Sequence, residues 1–119
     1  MSDFRMGPGE LRFAELIWDN EPVNSTALVK LCEDQLGWKK STTYTVLRKL
    51  CQRGILRNDD ATVVAVAKRE QVQKFESQQV VERSFGGSLP AFVNAFLSEK
   101  KLSREEAEEL KKLIEEASR

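Results

Sequence analysis

The stretch from Lys39 to Gly54 constrains the fold of this chain more than any other segment. At about 3.6 residues per turn, its side chains separate into an apolar face and a face of hydroxyls, an amide and cations. The apolar face consists of Thr43, Val46, Leu47 and Leu50. The opposite face consists of Ser41, Thr45, Arg48, Lys49 and Gln52. The pattern predicts an amphipathic helix that packs on one side and presents polar groups on the other.

The same stretch concentrates positive charge in a chain whose net charge is zero. From Gly37 to Arg57 there are Lys and Arg residues but no Asp or Glu, although the whole chain has 19 basic and 19 acidic residues. A solvated helix usually mixes both signs, because opposite charges stabilise each other at i,i+4. Charge of one sign favours contact with the phosphates of double-stranded DNA. The candidate DNA-binding residues are Lys39, Lys40, Ser41, Thr42, Tyr44, Thr45, Arg48, Lys49 and Arg57.

The chemistry of these side chains suggests different roles. Arg48 and Lys49 can contact phosphates or guanine edges, and the hydroxyls can contact phosphates, base edges or thymine methyls. Tyr44 lies at the border of the two faces. The pattern leaves open whether it packs in the core or donates its hydroxyl to a phosphate.

The neighbouring segments predict a winged helix-turn-helix. A first helix runs from Glu10 and stops before Pro22, and a second helix contains Leu28 and ends at Gly37. After the basic helix, residues 55–57 and 62–66 are typical of two strands joined by a turn through residues 58–61. The predicted fold is mainly α with a small β-hairpin, with residues 1–67 as a winged-helix DNA-binding domain.

Residues 68–119 are predicted to form a helical dimerisation domain. Apolar residues recur at helical spacing after a loop at Gly86-Gly87, and Ser103 begins a capping box before a last amphipathic helix. Small helices cannot bury two apolar faces alone, so a second copy of the chain is the natural cover. The candidate dimerisation residues are Phe85, Phe92, Phe96, Leu110, Leu113 and Ile114.

Composition argues against enzyme and metal chemistry. Histidine is absent, which removes the commonest general base and the commonest metal ligand. Cys32 and Cys51 are far apart and each follows a leucine, so buried free thiols are favoured over a disulfide or metal pair. We predict no catalytic residues, no metal and no cofactor. No apolar run approaches the length of a membrane span and no signal peptide is evident, so a cytoplasmic protein is expected.

Four motifs in order resemble the bacterial penicillinase repressor family, over about residues 10–117. They are Glu15-Leu16-Ile17-Trp18, the pattern Thr-Thr-Tyr-Thr-Val-Leu-Arg-Lys-Leu-x-x-x-Gly at 42–54, Phe85-Gly86-Gly87-Ser88, and the ending Leu102-Ser103-x-Glu105-Glu106-x-Glu108-Glu109-Leu110. The resemblance implies a homodimeric winged-helix repressor that binds a palindromic operator. In the antibiotic-responsive branch it also implies a regulatory protease or membrane-bound sensor that inactivates the repressor by cleavage.

The chain departs from the family pattern at three places. It has no cysteine after Cys51, whereas the copper-responsive branch ends in a cysteine-rich motif, so copper sensing is not expected. Ala95 separates Asn94 from Phe96, where the antibiotic-responsive branch has a cleavable Asn-Phe pair, so resistance to that cleavage is expected. The wing carries Asp59 and Asp60, whose carboxylates would repel phosphate.

One alternative of another class stays open at this point. A winged helix can serve as a protein-interaction module without sequence-specific DNA binding, with its hydroxyl and cation face against an acidic partner. Binding to duplex DNA of defined sequence, and its dependence on salt, would separate the two.

Overall fold

The computed structural model describes residues 3–119 and divides into two units, of which the first ends at Gln78 and the second covers Gln79–Arg119. The elements of the first unit are α1 (Pro8–Asn20), β1 (Val23–Asn24), α2 (Ser25–Leu36), α3 (Lys40–Gln52), β2 (Leu56–Asp59), β3 (Thr62–Ala65) and the start of α4 (Arg69–Phe85). The remainder of α4, α5 (Leu89–Leu97) and α6 (Arg104–Ala117) belong to the second unit. The mainly α winged helix-turn-helix fold is confirmed. The assignment of residues 1–67 to DNA binding and 68–119 to dimerisation stays a prediction.

Hydrogen bonds, a proline and a glycine determine the start of α1 and both ends of α2. Helix α1 starts at Pro8 rather than Glu10, because proline suits the first turn and the Glu10 Oε1 accepts the Gly7 N–H at 2.9 Å. The Asn24 side chain accepts the Thr26 N–H at 2.8 Å and caps α2. That helix ends at Gly37, whose φ of 69° is the left-handed conformation that glycine adopts without steric cost.

The sheet has three antiparallel strands in the order β1-β3-β2. Val23 pairs with Val63, so the short segment after Pro22 is an edge strand of this sheet. The predicted four-residue turn is wrong in length, because residues 58 and 59 continue β2 and only Asp60 and Ala61 form the turn. Both turn residues have positive φ, which is the type I′ geometry that matches the twist of a hairpin.

The core of the first unit lies where the three helices meet the sheet. Its fully buried side chains include Phe13, Ile17, Leu28, Leu50 and Val63. Thr43 is also fully buried and satisfies its hydroxyl by donating to the Lys39 carbonyl at 3.3 Å. The predicted apolar face of α3 therefore packs as expected, and this packing turns the opposite face to solvent.

Two tryptophans have structural roles in this unit. Trp38 stacks on Phe13 with ring centroids 5.5 Å apart, which fixes the turn between α2 and α3. The Trp18 indole donates to the Ala67 carbonyl at 2.9 Å, and the Arg69 guanidinium lies over its ring. These contacts hold the beginning of α4 against α1.

The second unit has little buried surface of its own. Within the fully described helices α5 and α6, no residue is buried. The rings of Phe85 and Phe92 meet edge to face at 5.4 Å, and Phe96 lies beside Phe92 at 6.1 Å. The Ser103 hydroxyl accepts the Glu106 N–H at 3.1 Å, as the capping box predicted.

Candidate nucleic-acid interface

Helix α3 presents a continuous polar face to solvent. The exposed candidates on and beside it are Lys39, Lys40, Ser41, Thr42, Thr45, Arg48 and Lys49. Tyr44 is half-buried and packs against the core, so its ring belongs to the border of the face rather than its centre. Arg57 is exposed on β2, in the hairpin rather than on α3. The structure thus brings the predicted α3 residues onto one surface.

The centre of this face consists of uncharged polar groups, with a cation on either side. At helical spacing Ser41, Thr45 and Gln52 lie most directly opposite the buried face of the helix, and Arg48 and Lys49 lie to either side of them. The Thr45 hydroxyl donates to the Ser41 carbonyl at 2.9 Å, which uses its proton within the helix and leaves its oxygen and methyl group available. A surface of this kind can approach base edges closely, because Ser41 and Thr45 have short side chains.

The cations of the stretch divide into two groups by their partners. Lys49 pairs with Glu10, Arg53 with Asp3, and Arg57 with Asp59. Among the ion pairs of residues 3–119, none involves Lys39, Lys40 or Arg48. The positive charge available to a partner is therefore concentrated at the start of α3 and at Arg48.

The pair between Lys49 and Glu10 has the least exposed carboxylate of the three, while the Lys49 side chain is 60% exposed. The Lys49 Nζ lies 3.0 Å from the Glu10 Oε2, and the Glu10 side chain is only 18% exposed. The pKa of Glu10 is lowered, first by the hydrogen bond from the Gly7 N–H and then by Lys49, against the opposing effect of burial. Glu10 is thus ionised at neutral pH, with a hydrogen bond at Oε1 and an ion pair at Oε2.

The segment before α1 contacts the same side of α3. The Arg53 guanidinium donates to the carbonyls of Asp3 and Arg5, and Phe4 packs edge to face on Phe75 of α4 at 5.8 Å. The Arg5 guanidinium lowers the pKa of Asp3 to about 2. Residues 3–10 consequently cover one flank of the helix, and sequence reasoning missed this role.

The wing offers little positive charge. The Arg57 Nε donates to the Asp59 Oδ2 of the same strand, and Asp60 forms part of the exposed turn. Pairing with Asp59 compensates the charge of Arg57, so its value as a phosphate contact is smaller than the sequence suggested.

The two cysteines do not add a reactive group to this surface. Cys32 and Cys51 are free thiols, and burial raises the pKa of each, which keeps them protonated and unreactive. The described residues contain no cluster of three or more potential metal ligands. None of the helices from residue 3 onward is long and apolar enough to cross a membrane.

A helix-turn-helix followed by a β-hairpin, with hydroxyls and an arginine on the outward face of its last helix, defines the winged helix-turn-helix class of regulatory proteins. The chain belongs to the penicillinase repressor family, a family of transcriptional repressors, whose sequence model matches residues 6–116. This confirms the resemblance found in the four motifs.

Two relatives show how far the similarity extends. The chain is 26% identical over 116 residues to the penicillinase repressor of Bacillus licheniformis, covering 94% of this chain and 91% of that protein. It is 19% identical over 115 residues to the methicillin resistance regulatory protein MecI of Staphylococcus aureus, covering 93% and 94%. The similarity therefore spans both units, at low identity.

Proposed function

We propose that this protein is a homodimeric repressor that binds a palindromic operator, with α3 of each chain in the major groove of one half-site. The observation that carries the proposal is the outward face of α3, where Arg48 lies among hydroxyls and shares no ion pair within the described residues. Repression would follow from occupancy of the operator. No cofactor and no catalytic step are needed, and the protein would act in the cytoplasm, where the operator lies.

Contact would begin at the amino end of α3. The unpaired N–H groups of the first turn attract anions, and Lys39 and Lys40 add positive charge at the same end. A phosphate bound there fixes the orientation of the helix, since phosphate contacts position a protein but carry no sequence information. Arg48, one to two turns further on, would then reach a base edge.

The second unit supports the dimeric part of the proposal. On α6, Leu113 is 56% exposed and Ile114 is 64% exposed, and Phe96 of α5 is also exposed. Exposed apolar side chains at helical spacing indicate a surface that another chain covers. We infer that the candidate dimerisation residues on α5 and α6 meet their copies across a two-fold axis.

Selection from a pool of random duplexes tests the proposal. The purified protein should enrich an inverted repeat, because a symmetric dimer contacts two equivalent half-sites. On the enriched duplex, Arg48→Ala should weaken binding by about 1 to 3 kcal/mol, or roughly 5- to 150-fold. Arg12→Ala, which removes an exposed arginine from α1, is the matched control and should bind normally.

Two outcomes would contradict the proposal. The first is failure to enrich any sequence, which would favour a protein-interaction module. The second is equal binding by Arg48→Ala and the control, which would remove α3 from the groove.

A further inference from the structure

We propose that Glu10 holds Lys49 away from DNA and thereby limits the affinity of the protein for duplexes of any sequence. The inference rests on the proposed function, and it assigns opposite roles to two adjacent cations of α3. Arg48 would contact DNA, whereas Lys49 would be neutralised by its own chain. Glu10 would then determine how strongly specific binding exceeds non-specific binding.

The geometry gives Glu10 a hydrogen bond and an ion pair at once. Its Oε1 accepts the Gly7 N–H at 2.9 Å and its Oε2 lies 3.0 Å from the Lys49 Nζ. The Oε2 atom is itself buried from solvent. If Lys49 moved to a phosphate, it would leave a buried carboxylate oxygen without its counter-charge, which is unfavourable. The pair should therefore persist when DNA binds.

A second observation places Lys49 on the flank of α3 that faces residues 3–10. Lys49 and Arg53 are one turn apart on the helix, and Arg53 donates to the carbonyls of Asp3 and Arg5. Both cations thus point toward residues 3–10, while Arg48 lies on the other side of the outward face. The two contacts are independent, and they cover the same side of the helix.

The effect on DNA binding follows from counterion release. Each phosphate that a cation neutralises steepens the dependence of log K on log salt by about 0.9, irrespective of sequence. A Lys49 held by Glu10 contributes nothing to this slope. Releasing Lys49 should add one phosphate contact and so strengthen binding to any duplex, most of all at low salt.

Glu10→Gln is a suitable test because it removes the charge and keeps the cap. Glutamine at this position can still accept the Gly7 N–H, as in other capping boxes. Glu15→Gln is the matched control, since it removes one charge from the same helix, and Glu15 interacts with Arg69 rather than with α3. Lys49→Ala and the double variant Glu10→Gln with Lys49→Ala complete a double-mutant cycle. The cycle isolates the effect of the interaction between Glu10 and Lys49.

The experiment is a fluorescence-anisotropy titration of a labelled duplex of mixed sequence at several salt concentrations. Glu10→Gln should steepen the slope by about 0.9, so that affinity falls roughly 3.5-fold more than for the wild type between about 50 and about 200 mM salt. Lys49→Ala and Glu15→Gln should both retain the wild-type slope. The double variant should also retain it, because the gain requires a free Lys49.

Three results would overturn the inference. An unchanged slope for Glu10→Gln would mean that Lys49 is not released. A flatter slope for Lys49→Ala would mean that Lys49 already contacts phosphate, and a steeper slope for the double variant would point to a general charge effect. Failure of the proposed function gives a different pattern, in which the wild type shows no salt-dependent binding to this duplex and Arg48→Ala changes nothing.

Discussion

Glu10 connects the beginning of α1 to α3 through a single carboxylate. Because its pKa in the folded chain lies below the ordinary value of 4.5, the ionised form stabilises the native state. The stabilisation is fully present above pH 4.5 and is lost as the pH falls from there through the lower folded pKa. The first turn of α1 and its contact with α3 should therefore weaken together in acid.

A comparison of unfolding free energies across pH tests this role. At pH 7, Glu10→Gln should unfold more easily than the wild type by about 1 kcal/mol, the size of a partly exposed ion pair. The difference should shrink as the pH is lowered below 4.5, since protonation removes the charge from the wild type as well. Urea titrations at several pH values measure this difference in the free energy of unfolding. Parallel curves for the two proteins would mean that Glu10 contributes nothing through its charge.

The sequence predicted correctly which side chains of α3 are exposed. It did not predict which cations of α3 pair with acidic side chains. Helical spacing alone separates Arg48 and Thr45 from the buried Leu47, because the period of the helix is fixed. Counting charges along the chain could not find Glu10 as the partner of Lys49, because folding brings together residues that are distant in sequence. The sequence feature that pointed to a role for Glu10 was its position three residues after Gly7, which is typical of a carboxylate that caps a helix.

The length of the hairpin turn is set by pairing between strands, which the residues of the turn do not reveal. The composition of residues 58–61 is typical of a turn throughout, so the prediction made the turn too long. Cross-strand pairing extends β2 to Asp59 instead, and the reversal is confined to Asp60 and Ala61. The pairing of Val23 with Val63 could not be predicted either, because a two-residue strand carries no alternating pattern of its own.

The tight turn predicts a stabilising substitution at Ala61. Alanine is held there at a φ of 67°, a left-handed conformation that costs a non-glycine residue about 1 to 2 kcal/mol. Ala61→Gly should therefore raise the unfolding free energy by about 0.5 to 1 kcal/mol, after subtraction of the entropy that glycine loses on folding. Thermal and urea unfolding measure the change.

Ala65→Gly provides the control for this prediction. Ala65 is buried in β3, within the ladder to Leu56, so glycine there should destabilise the protein. Destabilisation by both substitutions would show that the backbone at Ala61 is not strained.

At the scale of the whole molecule, the two units differ in how they bury apolar surface. The first has fully buried side chains from its helices and its sheet, whereas α5 and α6 of the second leave their apolar stripes exposed. In the proposed dimer, the second unit would complete its core by association. Dimerisation would also raise affinity for DNA, because the second half-site is met at a high effective concentration.

Leu113→Glu tests the dimeric repressor most directly. A charge in the exposed apolar stripe of α6 should prevent association, while the first unit keeps its own core. Lys112→Gln changes the net charge by the same amount on the opposite face of α6 and is the matched control. The measurement is sedimentation equilibrium of the three proteins, alone and with the duplex enriched by selection.

The wild type and Lys112→Gln should each form particles of two chains, and two chains should bind each duplex. Leu113→Glu should be a folded monomer that binds the whole site at least about 100-fold more weakly, because the advantage of two linked contacts is lost. The proposal of a dimeric repressor would be contradicted by a Leu113→Glu protein that remains a dimer. It would also be contradicted by a wild-type protein that occupies the whole site as a single chain.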